Sequence, residues 1–212
     1  MTLVLASASP RRRELLARLG IPLEVIPADV DESVLPGEDP VVYVGRIARL
    51  KAGVIASRIN DLDGAGAPRR WVLAADTTVT VDKLILGKAE SDDEAGRMLR
   101  ALSGRTHQVF TAFVLARGFG TGSREASRMH ESIVKTDVTM VEMTEEVIAD
   151  YVACREWVGK AGAYALQGIA GSLVRSISGS VTNVIGLPVA EVIAALREVG
   201  GPLPRFVAGT PS

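Results

Sequence analysis

The sequence predicts an α/β chain, a mixed and twisted β-sheet flanked by helices. Two observations lead there. Runs of β-branched, apolar residues alternate with helices that open on polar capping residues. Strand candidates also lie back to back around 71–86 and 106–141, as hairpins do, which excludes a purely parallel sheet. At 212 residues and 47% hydrophobic content, the chain buries a sizeable core yet is short enough for one domain over 1–212, bilobed at most.

Residues 3–6 form a short apolar run that breaks at Ser and Pro, and residues 10–19 carry Leu15, Leu16 and Leu19 at helical spacing. Ser9 suits the N-cap, Pro10 the first helical position and Gly20 the stop. A strand follows over 23–27. Asp39 and Pro40 then open a helix to about residue 57. Strands are expected at 71–75 and 77–81, before a helix over 92–102 that begins with the capping box Ser91 and Glu94. Further strands are expected at 106–116, 133–141 and 172–177, with helices from Thr144 to about residue 154 and from 188 to about 199. Segments 60–70 and 118–128 are rich in Gly and polar residues and suit surface loops, and the tail after Gly200 suits a frayed end.

Composition excludes several function classes. Lys and Arg number 24 against 25 Asp and Glu, so no net basic field draws in nucleic acid, and aromatic residues at 4% are too few for a single-strand stacking platform. An anionic ligand must therefore meet a local cluster of cations. One cysteine, Cys154, rules out an internal disulfide framework and a Cys-rich zinc site, which fits a reducing, cytoplasmic setting. The opening apolar run is too short for a signal-peptide core, and no run approaches the roughly 20 residues that span a bilayer.

The strongest local feature is Ala6-Ser7-Ala8-Ser9-Pro10-Arg11-Arg12-Arg13, placed where a strand gives way to a helix. Small residues admit a ligand close to the backbone, and free amides, hydroxyls and guanidinium groups together suit phosphate oxygens. By itself the string is equally a capped helix with solvated arginines. In Ala74-Ala75-Asp76-Thr77 a carboxylate closes an apolar strand, at the end of the sheet where α/β folds bind ligands, which favours a catalytic or metal-binding role over a turn. Lys51, alone on a helix, and Glu32, in the acidic turn 29–33, read first as solvated groups. Acidic loops also recruit Mg²⁺ alongside substrate phosphates. Gln167 stands between apolar residues and Gly168, where a primary amide either steadies the loop or reads a base edge. His107 and His130 lack metal spacing and read as structural, and Cys154 reads as a packed thiol.

Taken in order, these pieces resemble the Maf family of nucleotide pyrophosphatases. The matching strings are Leu-Ala-Ser-Ala-Ser-Pro-Arg-Arg at 5–12, Asp31-Glu32, Arg-Leu-Lys-Ala at 49–52, Ala-Ala-Asp-Thr at 74–77 and Gly-Lys at 87–88. Leu-Ser-Gly-Arg-Thr-His at 102–107, Gly-Lys-Ala-Gly-Ala-Tyr at 159–164, Gln167-Gly168 and Ile-Gly-Leu-Pro at 185–188 complete a set that runs from about residue 3 to 199. One string would be weak, but the ordered set is specific, and it reverses the solvated readings of Lys51 and Glu32.

The resemblance implies a Maf/ITPase-like fold of two lobes around a deep cleft, usually as a homodimer. It implies hydrolysis of a nucleoside triphosphate to the monophosphate and pyrophosphate, by metal-assisted attack of water on the α-phosphorus. By resemblance Ser7, Arg12, Lys51 and Lys88 hold phosphates. Glu32 and Asp76 hold a divalent cation (Mg²⁺, Mn²⁺ or Co²⁺), and Asp76 accepts the proton. Arg12, Thr77 and Gln167 resemble the branch acting on dTTP and UTP; the branch preferring 7-methyl-GTP carries Trp, Gln and Glu there. The chain departs from the family pattern in Ala89, where Pro is usual after the lysine, and in the longer loops at 60–70 and 118–128. The alternative from another class is a nucleotide-binding regulator of cell division and septum formation with little turnover, which needs the phosphate cradle but not Asp76.

Overall fold

The computed structural model describes residues 1–62, 70–117 and 129–204. Of the loops expected at 60–70 and 118–128, residues 63–69 and 118–128 lie outside the described residues, as does the end of the tail from 205; residues 60–62 end a helix and Arg70 begins a strand. In chain order the elements are β1 (Thr2–Leu5), α1 (Pro10–Ala17), β2 (Leu23–Val25), α2 (Pro40–Leu62), β3 (Arg70–Val81), β4 (Leu84–Leu86) and α3 (Asp92–Leu102). There follow β5 (Thr106–Arg117), β6 (Met129–Met140), α4 (Glu145–Ala153), a 3-10 helix over Ile169–Leu173, β7 (Val174–Ser178), α5 (Val181–Ile185) and α6 (Val189–Val199).

The seven strands form one mixed sheet in the order β2-β1-β3-β5-β6-β7, with β4 paired to β3. β1 runs parallel to both β2 and β3, and the remaining pairings are antiparallel. The hairpins expected from the sequence are there as β3–β4 and β5–β6. β5 fills one edge of β3 from Trp71 to Thr80, so β1 and β4 share the other edge. β1 covers Arg70–Leu73 and β4 covers Val79–Val81, which leaves a stretch around Asp76 and Thr77 with no strand beside it among the described residues. A cleft lined by Asp76 and Thr77 opens at that gap.

Successive residues of a strand point to opposite faces, and β3 uses both. Val72 and Ala74 pack against α2 through Val44, Ile47, Ala48 and Ile55. Trp71, Leu73 and Ala75 pack against α1 and α6 through Leu16, Val192 and Leu196. A third cluster gathers Val79, Val81, Val109, Val138 and Met140 with Leu99 and Leu102 of α3 and Ile148 and Tyr151 of α4 at the far end of the same strands. Burying apolar side chains at about 25 cal/mol per Å² is what holds each helix to its face.

Several expectations change in detail. The strands at 71–75 and 77–81 are one strand, because β5 pairs with it in continuous register, so Asp76 lies mid-strand rather than closing it. It does stand just past the end of the parallel β1–β3 pairing, as the sheet-end argument requires. The strand at 172–177 begins only at Val174, since Gly171 donates to the Gly168 carbonyl and winds the preceding residues into the 3-10 helix. α2 continues to Leu62, β2 stops at Val25 and β6 starts at Met129. α5 was not expected; Ser180 caps it by accepting from the Asn183 amide.

Candidate active site

The cleft of about 350 Å³ is lined by the 6–12 turn, Glu32, Lys51, Asp76, Thr77, Lys88, the 159–167 segment and Gly186. Every site residue named from the sequence lies on its wall.

Lys51 reaches the cleft because α2 repeats its buried positions at Val44, Ile47, Ala48, Ala52 and Ile55, and Lys51 falls on that stripe. A buried ammonium requires anionic partners. Lys51 Nζ donates to Asp76 Oδ1 at 2.8 Å and lies 2.6 Å from Glu32 Oε1, while Lys88 Nζ meets Glu32 Oε2 at 3.1 Å. The four side chains form an alternating chain Lys88–Glu32–Lys51–Asp76. Lys88 is the exposed end, on a backbone bridge to Ala161. Burial pushes the Asp76 carboxyl above the ordinary carboxylate range, against the opposing pull of Lys51 and Arg12. For Glu32, burial works upward, but hydrogen bonds and charge from Lys51 and Lys88 outweigh it and hold the carboxyl below its usual value.

On the opposite face of β3, Thr77 meets α1. Ser9 accepts from the Arg12 amide as the N-cap, and the helix turns Arg12 into the cleft floor. The Arg12 guanidinium donates to Gly186 O at 2.7 Å, Ser7 Oγ at 3.1 Å and Thr77 Oγ1 at 2.9 Å. Thr77 Oγ1 also lies 2.9 Å from Thr111 Oγ1 and 3.2 Å from Gly186 O. Arg12 and Thr77 thus bind the 6–12 turn, β3, β5 and the turn before α6 into one frame. Ser7 Oγ accepts from the Ser9 amide as well as from Arg12, so its own hydroxyl proton remains to be donated. Burial lowers the Arg12 guanidinium from its usual value.

The geometry adds Tyr43 and Lys160, which the sequence reading did not single out, and puts Arg11, read only as part of the 6–13 string, on the cleft wall. Tyr43 on α2 donates to the Glu32 carbonyl at 3.0 Å and fixes the acidic turn, a role that its place on the buried stripe foreshadows. Arg11 and Lys160 line the cleft, both lowered from their usual values chiefly by burial, and Arg11 Nε is buried without a hydrogen-bond partner among the described residues. His107 is structural, as expected: fully buried, its Nε2 lies 2.9 Å from the hydroxyl of Tyr164, a cleft residue. Cys154 is exposed and not the packed thiol expected, because it caps the C-terminal end of α4 and not its buried face. Gln167 is exposed on the cleft rim.

Five cations, Arg11, Arg12, Lys51, Lys88 and Lys160, therefore face two carboxylates in a chain whose overall charge is −1. Such an imbalance suits a polyanion. A family model described as Maf-like protein matches residues 2–199. The dTTP/UTP pyrophosphatase of Anaeromyxobacter dehalogenans is 48% identical over 202 residues, covering 95% of this chain and 96% of its own. That of Myxococcus xanthus is 48% identical over 202 residues, with 95% and 94% covered, and that of Chromobacterium violaceum 47% over 200 residues, with 94% and 96% covered. Fold, ordered cleft residues and these likenesses agree: the chain belongs to the Maf-like protein family.

Proposed function

We propose that the chain is a nucleoside triphosphate pyrophosphatase acting on dTTP and UTP, releasing the monophosphate and pyrophosphate. The observation that carries this is the cationic excess gathered around one buried carboxylate, Asp76, whose raised proton affinity suits a general base. The related dTTP/UTP pyrophosphatases supply the substrates.

In this reading Lys51, Lys88, Arg12 and Ser7 bind and orient the phosphates, with Arg11 and Lys160 adding positive charge to the same cleft. Asp76 orients a water toward the α-phosphorus and takes its proton as the oxygen–phosphorus bond forms. Negative charge on the departing pyrophosphate falls among the lysines and arginines, which need no rearrangement to receive it. Glu32 and Asp76 converge on a single ammonium, and among the described residues no cluster of three or more His, Cys, Asp or Glu would hold a metal without substrate. That donor pair fits a hard divalent cation, which takes one or two carboxylates and completes its shell with water and phosphate oxygens. When bound, Mg²⁺, Mn²⁺ or Co²⁺ would neutralise phosphate charge.

Gln167 on the rim is the base-reading group in this proposal, since one primary amide pairs with a pyrimidine carbonyl and the adjacent N–H. Thr77 contributes indirectly, through its bond to Arg12. A single bilobed domain over 1–212 is supported by β3, β5 and β6, which pass through more than one core cluster. Among the described residues no helix is long and apolar enough to cross a membrane. A cytoplasmic homodimer without nucleic-acid partners completes the reading.

Turnover of UTP in ¹⁸O-labelled water tests the chemistry. The label should enter UMP and not pyrophosphate, and excess chelator should abolish turnover. Label in pyrophosphate would place the attack on the β-phosphorus and refute the mechanism.

A further inference from the structure

Gln167 sits on a short connection, Leu166 to Gly168, whose position needs a physical cause. The segment is clamped at two points. A Cβ at Gly171 would stand 2.8 Å from the Leu166 carbonyl oxygen, so the chain folds back on itself closely there. At Gly168 a Cβ would fall 1.6 Å from Glu156 Oε1, so a side chain there would displace the carboxylate from its present position, while the backbone angles themselves do not call for glycine.

Glu156 precedes two stretches of the cleft wall, 159–161 and 164–167, and its carboxylate reaches the residues that follow them, Ile169 and Ala170. Its Oε1 accepts from the Ile169 amide at 2.9 Å and its Oε2 from the Ala170 amide at 3.1 Å, which satisfies the first turn of the 3-10 helix. The Tyr151 hydroxyl donates to Oε2 at 2.8 Å and ties the carboxylate to α4. These donors hold the Glu156 carboxyl below its usual value against the opposing effect of burial. An ionised acceptor with two backbone amides and a phenol is held more firmly than a neutral cap.

We propose that Glu156 is a positioning residue for base selection: it fixes the 166–168 connection, and with it the Gln167 amide, relative to the phosphate-binding wall. The inference rests on the reading of Gln167 as the base-contacting group. Glu156 itself touches no reacting atom, so its loss acts on nucleotide choice and KM more than on kcat.

The test is equilibrium binding of α,β-imido UTP and α,β-imido GTP, with Mg²⁺, to wild type, Glu156→Gln, Gln167→Ala and the double variant. Glu156→Gln should lower the UTP-to-GTP affinity ratio by about tenfold, the size expected for one lost charged hydrogen bond. Inorganic pyrophosphate should bind within about twofold of wild type. Effects of the two substitutions should be non-additive, as for residues acting through one contact. Where Glu156→Gln folds poorly, Tyr151→Phe removes only the phenol donor and should shift the ratio the same way by a few-fold. An unchanged ratio in the folded variants, additive effects, or equal binding of both analogues by wild type overturns the proposal. Selective wild-type binding that needs Glu156, but without pyrophosphate release from UTP, would overturn the proposed activity and leave this assignment standing.

Discussion

Asp76 is useful because its surroundings pull in two directions. Burial makes the carboxylate a stronger base, while Lys51 and Arg12 keep the ionised form present. Asp76→Asn keeps the shape and removes only the basicity, so turnover should fall by about 10²-fold or more while UTP still binds. Wild-type turnover in that variant would remove Asp76 from the proton-transfer step. Gln167→Glu should reduce kcat/KM for dTTP and UTP by about 5- to 150-fold, the range of one mispaired polar group, and spare inhibition by pyrophosphate. Equal losses on purine and pyrimidine triphosphates would remove Gln167 from base selection. Legibility at this scale was uneven. Asp76 stands out in any strand as a carboxylate among alanines, whereas Lys51 alone looks solvated. The apolar stripe of α2 places Lys51 inward, and that stripe is visible in the sequence once Val44, Ile47, Ala48, Ala52 and Ile55 are counted together. Nothing in the sequence marks Glu156, whose partners are the Tyr151 hydroxyl and backbone amides 13 and 14 residues away.

Among the elements, those with period and caps were readable: α1, α3, α4 and α6 begin within a residue or two of the expected places. β3 was not readable as one strand, because the sequence shows Asp76 as a break while the structure accommodates it beside an open sheet edge. The 3-10 helix and α5 were hidden for a related reason, since each is set by tertiary hydrogen bonds and not by its own propensity. β5 carries the clearest pH-sensitive contact. Burial pushes His107 down to about 4, so the imidazole is neutral in the folded chain and ordinary in the unfolded one. A folded value below the unfolded one means that stability is present above pH 6.5 and lost as the pH falls toward 4, by about 1.4 kcal/mol per unit across that window. Thermal unfolding of wild type should therefore show a falling midpoint from pH 6.5 to 4.5, and His107→Gln should flatten that fall. Equal slopes would assign the acid sensitivity elsewhere; the chain has only one other histidine, His130.

For the molecule as a whole, the net charge of −1 concealed the property that matters, which is a concentration of positive charge in one cleft. Composition points to a local cluster for any anion, and only the fold brings Arg11, Arg12, Lys51, Lys88 and Lys160 from four separated parts of the chain around Asp76. The gap that β1 and β4 leave in the edge of β3 is what lets two faces of the sheet, and the helices on them, contribute to one site. The ordered family strings anticipated that convergence; periodicity and propensity alone did not. The central claim is cleavage between the α- and β-phosphorus atoms, and the direct measurement is product stoichiometry from purified protein with dTTP or UTP and Mg²⁺, Mn²⁺ or Co²⁺. The account predicts one monophosphate and one pyrophosphate per triphosphate consumed. Diphosphate with orthophosphate, or binding without turnover under every metal, would contradict it.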